Sequence, residues 1–154
     1  MGDIPTVVGP IRAWRWFRVM PDGALRALYA DTMYHADREI PPAVCDNVEF
    51  LANAAEHAAP QLSCTCGYYA FKDFKDCIQY RRGLALGAVS LWGRVVEHER
   101  GWRAERMSID AIWLVPVFDK YIPDRIERSA ALFGDRFMGY LKIRVERTSN
   151  DRNW

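Results

Sequence analysis

Cys45, His57, Cys64 and Cys66 lie close together in sequence and run directly into Gly67-Tyr68-Tyr69. The spacing is Cys-x11-His-x6-Cys-x-Cys-Gly. Zinc takes four ligands at tetrahedral positions, and soft thiolates with imidazole suit it. The inventory fits such a site, with zinc as the candidate cofactor. The spacing is less usual, because zinc knuckles commonly use Cys-x2-Cys or a longer gap. In Cys64-Thr65-Cys66 an extended backbone still aims both sulfurs to one side, since residues i and i+2 share a face. The same four residues also read as small buried reduced thiols, a disulfide, or one reactive cysteine.

The surroundings limit these choices. A chain of 154 residues suits one domain with a sizeable core. That domain is expected over residues 1–147, with a polar tail over 148–154. The composition is 50% apolar and 27% charged with both signs present, which is globular rather than disordered. A formal net charge of +1 gives no global pull toward nucleic acid or an anionic membrane. Four cysteines are too few for a disulfide scaffold. The start, Met1 to Thr6, lacks the cationic and apolar regions of a signal peptide. Gly2 with Thr6 matches a bare myristoylation pattern, but Asp3 and the lack of a basic cluster weigh against an anchor. No apolar run is long enough to span a bilayer. A reducing cytoplasm is the expected location.

Local patterns predict mostly strands. Residues 11–19 are rich in aromatic and β-favouring side chains, and Pro21-Asp22-Gly23 then makes a turn into a return strand over 24–29. Residues 67–72 read as a strand and 73–83 as a short helix carrying Cys77. A second hairpin joins 86–97 to 102–107 through His98-Glu99-Arg100-Gly101, with Gly101 as the left-handed turn residue. Residues 109–118 suggest a further strand. A helix is expected over 124–133, between Pro123 and Gly134. The alternation of Leu141, Ile143 and Val145 with charged residues predicts an edge strand.

The main helix is expected over 43–59, where Val44, Val48, Leu51, Ala52, Ala55 and Ala59 recur at helical spacing and Pro60 stops the run. A straight helix would place Cys45 and His57 about 18 Å apart along its axis and about 120° apart around it. Both can reach one ion only if that helix starts late, ends early or breaks. The expected fold class is therefore α+β, a mainly antiparallel sheet built from hairpins with one main helix packed on it.

Two other groups of residues could carry function. Arg12, Trp14, Trp16 and Arg18 share one face of the first strand, opposite Ile11, Ala13, Arg15, Phe17 and Val19. Two indoles flanked by two guanidiniums could form a ligand face that stacks bases or a sugar. The plainer alternative is a sheet face covered by another element, with the Arg stems lying over the indoles. The near-neutral charge makes nucleic acid an unlikely partner. Glu97, His98 and Glu99 could support acid–base chemistry, but alternation sends His98 to the face opposite the two carboxylates, as in a solvated turn. The sequence has no nucleophile elbow, no zinc-protease helix, no phosphate loop and no dinucleotide fingerprint.

The segments Cys64-Thr65-Cys66-Gly67-Tyr68-Tyr69-Ala70 and Leu91-Trp92-Gly93-Arg94-Val95-Val96-Glu97-His98-Glu99-Arg100-Gly101-Trp102-Arg103-Ala104-Glu105 resemble a group of small uncharacterised proteins from actinobacteria and their phages. That pattern also has an upstream Cys and a His before a Pro, matched here by Cys45, His57 and Pro60. The resemblance implies a bacterial or phage cytosolic origin and joint action of Cys45, His57, Cys64 and Cys66. It implies no catalytic residue. The leading expectation is a non-enzymatic binding or adaptor protein acting on a protein partner. A thiol- or zinc-centred enzyme, and a single-stranded nucleic-acid binder using Trp14 and Trp16, are the alternatives.

Overall fold

A computed structural model of the chain describes residues 4–30, 32–45, 57–80, 82–116 and 122–141. Strand β1 (Thr6–Val19) is longer than its aromatic run, because it continues back through Gly9-Pro10. Its pairing slips between Val7 and Ile11, which accommodates a proline with no N–H to give. The predicted turn follows. The Gly23 N–H donates to Met20 O, and Asp22 Oδ1 accepts from the Ala24 N–H at 3.0 Å. The return strand β2 (Leu25–Arg26) is only two residues long, and it pairs onward with β3 (Met33–Tyr34).

Strand β4 (Tyr68–Phe71) leads into helix α1 (Phe74–Tyr80), which carries Cys77 as expected and buries it. Strands β5 (Ala85–Glu97) and β6 (Gly101–Leu114) form the long second hairpin. The sequence suggested separate strands over 102–107 and 109–118, and β6 runs through both to Leu114. Gly101 has a different role from the one expected. It is not among the glycines with positive φ, and a Cβ there would lie 2.5 Å from Ala70 O. Only glycine lets β4 approach so closely.

Helix α2 (Ile122–Phe133) ends at Gly134, whose φ of 53° starts a short 3-10 turn. Strand β7 (Phe137–Tyr140) then pairs parallel to β6. The edge strand thus comes a few residues before the predicted alternation, of which only Leu141 is described. The 148–154 tail lies outside the described residues.

The order of pairing bends the sheet into a ring. β1 pairs with β5, β5 with β6, and β6 with β4, all antiparallel. β4 returns to β1 through the single pair Trp14↔Phe71. The core inside is built from Phe17, Val19, Leu91, Met107, Ile112 and Leu114, with Ile126 and Phe133 of α2 packed against it. Arg15 also points inward. Its guanidinium donates to Tyr34 Oη at 3.0 Å and to Tyr69 O at 3.3 Å, and it lies over the Phe17 and Tyr34 rings. The fold is α+β with a mainly antiparallel sheet. Among the described residues no helix is long and apolar enough to cross a membrane.

The 43–59 helix is corrected at both described ends. Residues 43–45 and 57–59 are not helical, and Val44 pairs with Ala58 in an antiparallel bridge. Residues this far apart on one continuous helix would sit about 20 Å from each other. Val44 and Ala58 therefore do not lie on one continuous helix; residues 46–56 lie outside the described residues.

Candidate metal centre

The described ends of the 43–59 segment are not helical, as the four-ligand set required. The Val44–Ala58 bridge brings Cys45 beside His57. A tight turn with the Cys64 N–H donating to Gln61 O presents Cys64, and Cys66 follows on the same side. One ligand atom from each of Cys45, His57, Cys64 and Cys66 lies within 4.8 Å of all the others. Cys45 Sγ and Cys64 Sγ are 3.7 Å apart, and His57 Nε2 is 3.3 Å from Cys66 Sγ. Tetrahedral zinc with Zn–S near 2.3 Å and Zn–N near 2.0–2.1 Å spaces sulfurs about 3.8 Å apart and a nitrogen about 3.5 Å from a sulfur. The observed edges are close to those of a coordination tetrahedron.

No disulfide joins the four cysteines, and Cys77 stands apart on α1. Cys64 and Cys66 are buried, whereas Cys45 and His57 are partly exposed. Burial pushes the Cys64 thiol up. The Cys66 N–H and hydrogen bonds from Cys45, Cys66 and His57 outweigh it and hold Cys64 down at about 7. Burial raises Cys66 to about 12, helped by its hydrogen bond with Cys64. Two thiols this close cannot both ionise cheaply without a cation between them. A divalent metal would supply that cation and displace their protons.

Gly67 explains the glycine that follows the second thiol. Its φ is 111°, and an added Cβ would lie 3.0 Å from Pro60 Cβ, 3.3 Å from Ala104 O and 3.4 Å from Arg103 Cβ. The loop lies flat on β6 because no side chain intervenes. Two further contacts hold the segment: the Ala43 N–H donates to Glu105 O at 2.8 Å, and Tyr68 Oη donates to Pro41 O at 2.7 Å.

The sequence did not reveal Arg103. It is only 6% exposed. Its Nη1 donates to the carbonyls of Gln61, Cys64 and Cys66 at 3.2, 2.5 and 2.8 Å. Its Nε donates to His98 Nε2 at 2.8 Å. In the run Trp102-Arg103-Ala104-Glu105-Arg106, an arginine reads as one more solvent-facing charge. The one available signal was that Arg103 follows His98 closely around the same hairpin turn.

The other expected groups do not converge into a site. Trp16 is 2% exposed, and its indole N–H donates to Cys77 O under α1. Trp14 packs edge-on against Phe74 at 5.0 Å and tilts against Trp113 at 5.9 Å. Arg12 is exposed and Arg18 partly buried. The Arg12–Trp14–Trp16–Arg18 face is therefore covered by a helix at its centre, the plainer of the two readings. Glu97 pairs with Lys72 at 2.6 Å on the surface, away from His98, which faces Arg103.

Compared with protein-family models, with curated proteins and with solved structures, the chain matches none. The candidate site therefore rests on its geometry.

Proposed function

We propose that the chain is a zinc-stabilised binding protein that acts through a protein partner rather than by catalysis. One observation carries this reading: Cys45, His57, Cys64 and Cys66 offer four ligand atoms mutually within 4.8 Å. Catalytic zinc keeps three protein ligands and leaves a position for water or substrate, whereas structural zinc is closed by four. Three sulfurs and one nitrogen make a closed set. A reducing cytoplasm, as in the bacterial or phage setting the resemblance implies, would keep the thiols available to the metal.

The partner reading has its own support. Tyr69, Phe71, Tyr80 and Tyr29 form a continuous aromatic chain, with ring centroids 5.5 Å apart from Tyr69 to Phe71 and from Phe71 to Tyr80, and the Tyr80 and Tyr29 hydroxyls bonded. Tyr29, Tyr69 and Tyr80 are all exposed, the composition expected of a contact surface. Burial of Trp16 weighs against the nucleic-acid alternative.

Cobalt(II) substitution tests the closed site. The proposal expects the intense ligand-field bands of a tetrahedral thiolate complex, unchanged by added azide or cyanide. Weak bands, or bands that shift as an exogenous ligand binds, would mean an open coordination position and would favour the enzyme alternative. A pull-down with wild-type and Tyr80→Ala bait tests the partner, and an identical background set from both baits would count against this surface.

A further inference from the structure

We infer that Arg103 is the counter-charge of the metal–thiolate centre and strengthens its hold on zinc. This rests on the zinc reading above. Arg103 is a buried cation, and among the described residues no carboxylate lies within ion-pair distance of it. Its partners are three carbonyls and one imidazole nitrogen, all neutral acceptors. A buried charge without a counter-charge is strongly disfavoured, so a compensating negative group is expected nearby.

The thiolates meet that need. Two of the three carbonyls belong to Cys64 and Cys66, whose sulfurs are in the cluster. Covalent geometry thus keeps the guanidinium close to both. With a divalent ion, three thiolates and a neutral imidazole, the centre carries one net negative charge, and Arg103 brings the buried unit to neutrality. Loss of the metal with reprotonation of the thiols would leave an uncompensated positive charge. Arg103 is a positioning residue, since it touches the ligand loop and not the metal.

The test measures zinc affinity by chelator competition for wild type, Arg103→Met and Arg103→Lys, with the cobalt(II) sulfur-to-metal charge-transfer band as a second readout. Loss of an outer-shell partner typically lowers metal affinity about 10–100-fold. Arg103→Met is expected to bind zinc at least about tenfold more weakly, with a shifted charge-transfer band. Arg103→Lys keeps the charge and is expected to recover most of the affinity. If Arg103→Met does not fold, Arg103→Lys decides alone. Retained affinity supports the counter-charge role. Affinity lost despite the retained charge would overturn it in favour of the hydrogen-bonding fork alone. Equal affinity in wild type and Arg103→Met would overturn it while leaving the zinc reading intact. A wild type that binds no zinc would overturn both.

Discussion

Stripping the metal with a chelator should loosen one segment and leave the rest of the sheet standing. The described part of that segment is residues 43–45 and 57–66. Ordering about thirteen residues costs roughly 1–2 kcal/mol each, or about 13–26 kcal/mol. The gains visible on the protein side are smaller. Only Ala59, Cys64 and Cys66 form a buried cluster there, worth about 1 kcal/mol each. The three carbonyl bonds of Arg103 add about 1.5–3 kcal/mol each as charged hydrogen bonds. The bonds from Ala43, Cys64 and Tyr68 add about 1 kcal/mol each. The total, roughly 10–15 kcal/mol, overlaps only the low end of that cost, and a structural zinc supplies about 10–16 kcal/mol. The main core, around Leu86, Leu91, Met107 and Ile112, is a separate cluster and should be indifferent. Hydrogen–deuterium exchange read by mass spectrometry measures this directly. With chelator, peptides covering 57–66 should lose protection while those from the middle of β5 and β6 keep theirs. Equal protection of 57–66 with and without metal would refute the reasoning, since side chains and Arg103 would then suffice.

Three further outcomes follow from the same structure. Gly67→Ala should destabilise the protein by about 1–3 kcal/mol through its positive φ, read as a lower denaturant midpoint with an unchanged m-value. Burial raises Cys77 from 9.0 to about 12 and, as the largest effect, Tyr68 from 10.0 to about 12. Because the folded values exceed the unfolded ones, the stability they contribute is complete below pH 9 and declines as pH rises toward 12; denaturant melts across that range check it, and a rise in stability would contradict it. Single-stranded oligonucleotides at low salt should leave tryptophan emission unchanged, because Trp16 lies under α1; strong quenching that weakens with salt would revive the nucleic-acid alternative.

Local chemistry was legible in the sequence where a few neighbouring residues decide the outcome. Pro21-Asp22-Gly23 specified its turn, Gly134 ended α2, and Cys64 with Cys66 announced a shared face. Long-range closure was not legible. The ring depends on one pair, Trp14↔Phe71, which no local pattern encodes. The Ala-rich stretch over 43–59 carried a helical period, yet tertiary contacts govern both its ends: Ala43 bonds Glu105 on β6, and Val44 pairs with Ala58. The alternation from Leu141 to Val145 marked strand character near β7 but missed its position, because the backbone bonds that place β7 come from β6. The candidate ligands were all named by their residue types. Their convergence was not, and neither was Arg103, whose role depends on carbonyls about forty residues away in sequence.

The central claim is that Cys45, His57, Cys64 and Cys66 hold one zinc ion in a closed site. It is tested most directly by elemental analysis of protein purified without added metal, paired with a thiol count before and after denaturation in chelator. About one zinc per chain is expected, with no rapidly reacting thiol in the native protein and all four thiols titrating once it is unfolded and stripped. Protein free of metal, with Cys45 reacting readily in the native state or with only two thiols found after unfolding, would contradict it.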